Sequence, residues 1–170
     1  MTEKIEKMLI DQMNFEMYSA YVYMAMAACL DSLDLTGFSH WMKIQTQEEM
    51  YHSIKLYNFI VERGGRPVWD VIQKPRAEYE TVKEIFIEAL AHEKVVTSRI
   101  NMIMDAAIEE SDHATRSFLN WYVDEQVEEE ASADAILKKL AMVEGAMHGV
   151  YMLDKELGAR VFTVPADFVL

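Results

Sequence analysis

Glu49 and His52 stand three residues apart in Gln47-Glu48-Glu49-Met50-Tyr51-His52, inside a run with helical character. Residues three apart share one helix face, so a carboxylate and an imidazole point the same way, as two ligands of one metal ion must. A single Glu-x-x-His arises by chance, and an exposed glutamate beside a surface histidine is its ordinary meaning. Repetition sets this one apart. Glu16 and Glu49 are 33 residues apart, and so are Glu93 and Gln126. Glu16 and His52 are 36 apart, as are Glu93 and Glu129, and Glu48 and Glu125 obey the same shift of 77. Each half of the chain therefore carries one polar residue on a first helix and a pair three apart on the next.

Several carboxylates buried in a helical core cost too much unless something compensates them. The matched set predicts a bound multivalent cation. Mostly carboxylate oxygen with one imidazole suits iron or manganese, whereas structural zinc prefers thiolates or more histidine. Two ions fit: Glu16, Glu49 and His52 around one, Glu93 and Glu129 around the other, with Glu49 bridging. Carboxylates stabilise Fe(III), which favours oxidation of Fe(II) by oxygen or hydrogen peroxide. Idealised di-iron bundles carry Glu-x-x-His twice. Here the second copy is Gln126-x-x-Glu129, which leaves one metal with weaker ligands, as suits an iron ion in transit. Glutamates on solvated faces are the competing reading, and it applies best to Glu128 and Glu130.

The elements that must hold these residues are helices. Gly 6 and Pro 3 are few in 170 residues, and half the chain is hydrophobic, a composition that favours long helices in one domain with a sizeable core. Thr2 is an expected N-cap, and Ile5, Met8, Leu9, Phe15, Val22, Met26 and Leu30 recur at helical spacing to about Ser32. A second helix carries Phe38, Trp41, Ile44, Ile54 and Ile60 and stops at Gly64-Gly65, with Pro67 beyond. Thr81-Val-Lys-Glu84 matches a capping box for a third helix to about Glu110, and Ser111-Asp112 caps a fourth. A short fifth runs from about His148 to Leu157.

The connection over 64–80 is long. Its seventeen residues can reach about 55 Å when extended, and the flanking helices are about 42 Å long. It can therefore run the full length of a bundle. Counting rise from the shared end puts Glu16 and Glu49 at about the same height, ~21 Å, and Glu93 and Gln126 close to it. The fold expected is all-α: a four-helix bundle with one long crossover and a short fifth helix, the variant that ferritins exemplify. Residues 1–160 read as one ferritin-like diiron domain and 161–170 as an apolar tail extension.

Other features exclude functions. A formal charge of −13 argues against nucleic acid as a partner. No apolar run is long enough to span a bilayer, and Met1-Thr2-Glu3-Lys4 opens no signal peptide, so a cytoplasmic location is expected. Cys29, the one cysteine, cannot form an internal disulfide and reads as a buried thiol. His40, His92, His113 and His148 read as surface or interface residues.

Several stretches together resemble a bacterial or archaeal non-haem ferritin over residues 3 to about 157: Asn14-Phe-Glu16-Met-Tyr18-Ser, Gln47-Glu-Glu49-Met-Tyr-His52, Glu62-Arg-Gly-Gly65-Arg, His92-Glu93, Phe118-Leu-Asn-Trp121-Tyr-Val-Asp-Glu125-Gln-Val-Glu-Glu129, and Leu153-Asp-Lys-Glu-Leu157. The resemblance implies iron storage in a hollow 24-subunit cage, with a ferroxidase centre in each subunit and a ferric oxide mineral inside. By position it implies a first iron at Glu16, Glu49 and His52. A second would lie at Glu93, Glu129 and the shared Glu49, beside Gln126. A third would lie at Glu48, Glu125, Glu128 and Glu129. Tyr23 matches a tyrosine next to such centres, with a hydrogen bond to Glu93 or supply of an electron as its role; a buried packing tyrosine is the plain alternative. Arg116 and Leu119 fall where animal ferritins place acidic residues of a threefold iron channel. Met50 falls where haem-binding bacterioferritins place a haem ligand, and it reads as packing. Bacterioferritin would want Glu-x-x-His in the fourth helix. A rubrerythrin-like diiron peroxidase would add a Cys-x-x-Cys iron domain, which one cysteine cannot supply. A bundle with only a structural role remains the reading outside redox chemistry.

Overall fold

In a computed structural model of the chain, described over residues 1–166 and 168, five helices follow in order. They are α1 (Glu3–Ser32), α2 (Thr36–Glu62), α3 (Val82–Glu109), α4 (His113–Met142) and α5 (Met147–Leu157). No strand occurs among the described residues. α1 pairs with α2, α3 with α4, and α1 with α3, while α5 folds back onto α2 and α4. This is the expected four-helix bundle with a crossover and a short fifth helix.

Local chemistry sets the boundaries. Thr2 accepts from the Ile5 amide and Thr81 from the Glu84 amide, each satisfying a donor that a helix start leaves orphaned. The Glu84 carboxylate reaches back to the Glu80 amide at 2.7 Å, one residue earlier than an ideal capping box. Asp112 caps α4 through the Thr115 amide, while Ser111 takes a left-handed backbone with φ 55°. α2 ends in the left-handed Gly64, φ 76°, and the Gly65 amide donates back to Ile60, as a glycine stop requires.

The start of α2 is capped from elsewhere. Its own N-cap, Leu35, offers no side-chain acceptor. Asp154 of α5 supplies it, taking the Gly37 and Phe38 amides at 2.8 and 2.9 Å. Gly37 is required there, because a Cβ would lie 1.7 Å from the Asp154 carbonyl oxygen.

The crossover follows α1. Asn14 clamps it on both sides, donating to the Val68 carbonyl and accepting from the Asp70 amide. Trp69 stacks on Tyr57, and Lys74 and Pro75 lie beside Tyr21, Met24 and Cys29 of α1. Cys29 is half-buried rather than buried, because that groove between α1 and the crossover leaves it partly open.

The apolar core is split. One cluster gathers Tyr23, Met26, Leu30, Phe38, Met42, Phe86 and Ile136 at the α5 end; the other gathers Leu9, Met13, Leu56, Ile60, Ile100, Leu119 and Tyr122 at the opposite end. Leu119 is fully buried in that second cluster, where apolar contacts claim it. Of the 161–170 tail, the Phe168 ring meets Tyr51 edge-on at 5.7 Å; the expectation for Asp167, Val169 and Leu170 lies outside the described residues.

Removing the borrowed cap should cost as much as removing an ordinary one. Asp154→Ala is expected to lose about 1–2 kcal/mol and to lower the melting temperature by about 2–8 °C. Asp154→Asn should recover part of the loss. Differential scanning calorimetry on the three proteins checks this, and equal melting temperatures would show that the α5 carboxylate does not hold the start of α2.

Candidate metal centre

Between the two apolar clusters lies a layer of buried polar side chains, to which each long helix contributes. α1 brings Gln12, Glu16 and Ser19, α2 brings Gln45, Glu49, His52 and Ser53, α3 brings Glu93, and α4 brings Gln126 and Glu129. Glu16, Glu49 and His52 are 0, 1 and 2% exposed.

Ligand atoms of Glu16, Glu49 and His52 lie within 4.8 Å of one another, and so do those of His52, Glu125 and Glu129. His52 serves both groups. Its Nδ1 is 3.4 Å from Glu49 Oε2, and its Nε2 is 3.9 Å from Glu125 Oε1. Tyr122 donates to the His52 carbonyl at 2.7 Å, which ties α4 to α2 at that turn. Glu16 Oε2 and Glu49 Oε2 are buried and make no hydrogen bond. Buried carboxylate oxygens without donors are rare and expensive. Two such oxygens beside one imidazole form a half-built coordination shell, and carboxylate oxygen with imidazole nitrogen is what iron accepts.

Glu93 sits differently. Tyr23 donates to its Oε1, and Gln126 Nε2 donates to its Oε2 at 3.1 Å. Its carboxylate is therefore oriented by two partners. Glu129 accepts from Gln45 at 2.7 Å. Outward from this layer, Glu48 and Glu125 are half-buried and Glu128 is exposed.

Burial governs the protonation states. It drives Glu16 up to about 7, against hydrogen bonds from Gln12 and Glu49 that pull the other way. Burial also raises Glu49 and Glu129 well above the usual carboxylate range, with the Glu93 charge adding to both, and it raises Glu93 itself. Without a cation the layer keeps protons. A metal ion that displaces them supplies the counter-charge that offsets the cost of burial. Burial has the opposite effect on His52, taking it down to about 3, with Lys55 adding to the effect. The imidazole is therefore neutral at physiological pH and its lone pair is free for a metal.

Sequence spacing did not bring out several residues. Gln12 donates to Glu16 at 2.8 Å, and Arg99 donates to Gln12 at 2.7 Å. Gln45 holds Glu129 and itself accepts from Arg160. A signal for both glutamines existed, because Gln12 and Gln45 are 33 residues apart and each precedes a site glutamate by four. Nothing local marked Arg99 or Arg160. His92 is half-buried within the chain rather than on an open surface: it stacks on Phe15 at 5.3 Å, meets Tyr23 edge-on, and shares a 2.7 Å hydrogen bond with Ser19 Oγ. Burial lowers it to about 4. It immediately precedes Glu93 on α3, and the aromatic rings of α1 close over it.

A family model for the ferritin-like domain matches residues 6–143. The chain belongs to the ferritin family. It is 39% identical to the bacterial non-heme ferritin of Staphylococcus epidermidis, over 91% of this chain and 93% of that protein. Among solved structures it resembles an engineered closed form of the Archaeoglobus fulgidus ferritin, with a TM-score of 0.94 and 44% identity over 96% of this chain and 99% of the other. The open-pore ferritin of the same archaeon gives a TM-score of 0.94 and 43% identity over 95 and 99%. Membership of this family of ferritins supports iron storage. No helix among the described residues is long and apolar enough to cross a membrane.

The shift at Glu16 has a stability consequence. Its ordinary value is 4.5 and its folded value is about 7. Between these the metal-free folded chain holds a proton that the unfolded chain has released, so stability falls as pH rises through that window. Glu16→Gln removes the cost. The metal-free variant should melt about 5 °C above the parent at pH 8, and the gain should vanish near pH 5. Calorimetry on chelator-treated protein at both pH values decides; a gain of equal size at both would exclude ionisation of Glu16 as its source.

Proposed function

We propose that this chain is an iron-storage ferritin with ferroxidase activity. It oxidises Fe(II) to Fe(III) at a two-iron centre within each subunit and deposits ferric oxyhydroxide in a 24-subunit cage, in the cytoplasm. The observation that carries the proposal is the pair of undonated buried oxygens, Glu16 Oε2 and Glu49 Oε2, beside a neutral His52. A metal cation satisfies all three at once.

In this reading Glu16, Glu49 and His52 take the first Fe(II). Glu93, Glu129 and the shared Glu49 take the second, with Gln126 alongside. Each iron gives up one electron, and oxygen or hydrogen peroxide receives the pair. Carboxylate charge favours the ferric product. Tyr23, already donating to Glu93, fixes that carboxylate and is a phenol in direct contact with the centre, placed to supply an electron. The product ions then pass outward to a third position among Glu48, Glu125 and Glu128, and hydrolyse in the cavity. Residues 1–160 carry this machinery, with 161–170 an extension on it.

Replacing Glu16 or His52 by Ala should slow Fe(II) oxidation about 100-fold or more, the scale of losing a directly acting ligand, while leaving assembly intact. Stopped-flow absorbance after aerobic mixing with Fe(II) reads the rate, and size-exclusion chromatography with light scattering reads the assembly. Oxidation by the parent no faster than in buffer would overturn the enzyme. A particle of single-chain mass would overturn the cage.

A further inference from the structure

The chain leaves α5 at Leu157 and turns back over the start of α2. Gly158, Ala159 and Arg160 each donate an amide to the last turn of α5, and His40 donates to, and so fixes, the Arg160 carbonyl at 2.8 Å. The Arg160 side chain then reaches inward. Its guanidinium lies over the Trp41 ring at 4.6 Å from the centroid. One nitrogen donates to Glu48 Oε2 at 2.7 Å, and the other donates to Gln45 Oε1. Gln45 spends its amide on Glu129. One cation thus touches an outer glutamate directly and a centre glutamate through one intermediary.

Glu125 and Glu128 stand close enough to Glu48 for their charges to act on it. A guanidinium remains charged at any working pH and cannot be neutralised to make way. A metal ion approaching Glu48 meets a positive charge already in place.

We propose that Arg160 is a gate for iron leaving the two-metal centre: it holds Glu48 as a resident cation, and a third metal ion binds Glu48, Glu125 and Glu128 only by displacing it. The inference rests on the ferroxidase reading and deepens it. Displacement has a second effect. Gln45 loses the donor that orients it, and Glu129 is released from its present rotamer. Arrival of an ion outside therefore loosens a ligand inside. Trp41 and His40 keep the displaced arginine and its backbone close by, so the gate closes when the ion moves on.

The test is anaerobic calorimetric titration of the assembled protein with Zn(II), which binds without redox chemistry. The parent should bind two ions per subunit tightly and a third weakly. Arg160→Ala and Arg160→Gln should tighten the third ion at least about tenfold, as loss of one competing charge-assisted pair does, leave the ion at Glu16, Glu49 and His52 unchanged, and weaken the one at Glu129, whose brace is lost. Arg160→Lys, which keeps the charge, should stay close to the parent. In the parent, hydrogen exchange over residues 157–166 should rise when the third ion binds and not before, a readout that needs no variant.

A third ion as tight as the first two in the parent would overturn the gate. So would Ala and Gln variants with unchanged third-ion affinity, or exchange over 157–166 that ignores the third ion. Loss of thermal stability in all three variants with no change in binding would reduce Arg160 to a structural contact. Absence of the two inner ions from every protein would instead overturn the ferroxidase reading itself, and the gate with it.

Discussion

Four glutamates held at mid-bundle without a counter-charge are the constraint on which the rest of the molecule depends. Glu16, Glu49, Glu93 and Glu129 come from four different helices. Burial pushes every one of them toward the protonated form. Such a layer works against folding until protons or cations fill it. The bundle offsets this cost by placing an apolar cluster on each side, closed above by α5 and below by the Arg63–Asp112 ion pair. The split core is therefore a consequence of the site. A continuous apolar core would have no room for the ligands, and a shorter bundle would lack one of the flanking clusters.

Ligand geometry in the layer is set by its neighbours. Gln12, buried beside Glu16, and Gln45, buried beside Glu129, each take a carboxylate oxygen and leave its partner oxygen to the site. Each glutamine is in turn held by an arginine, Arg99 or Arg160. The amide is the right intermediary: it accepts from a cation at one end and donates to an anion at the other, so no further buried charge is needed. Tyr23 and Gln126 do the same for Glu93 from two sides. Glu49 has no such brace on its Oε2, so that oxygen is left open to a cation.

Much of this was legible in the sequence, for physical reasons. Helix starts carry their own caps at Thr2, Thr81 and Asp112, and the glycine stop at Gly64 needs a positive φ, so these boundaries are local. The site was legible because two helical hairpins of equal length bring residues 33 and 36 apart to the same height. The rest depends on partners distant in the chain. The α2 cap comes from Asp154, 117 residues away, and Arg160 meets Glu48 across 112 residues. His92 read as a surface residue because its neighbours along α3 said nothing of Phe15 and Tyr18, which shelter it from α1. The pairing of Glu129 with His52 and Glu125 likewise depends on how α4 rotates against α2.

The two arginine braces are alike in chemistry and unlike in support. Arg99 stands in the middle of α3 and also donates to the Asp11 carbonyl, with its guanidinium over Phe15. It cannot withdraw without moving a long helix. Arg160 stands in an irregular segment just past α5, held by three short turns and one histidine. It can leave with little cost to the fold. The half of the centre braced by Arg99, at Glu16, is therefore the fixed half. The half braced by Arg160, at Glu129, is the one able to yield. That is the same half in which Gln126 replaces a second histidine ligand. The Gln126 position and the brace outside regular structure therefore fall on the same side of the layer, the side of Glu129.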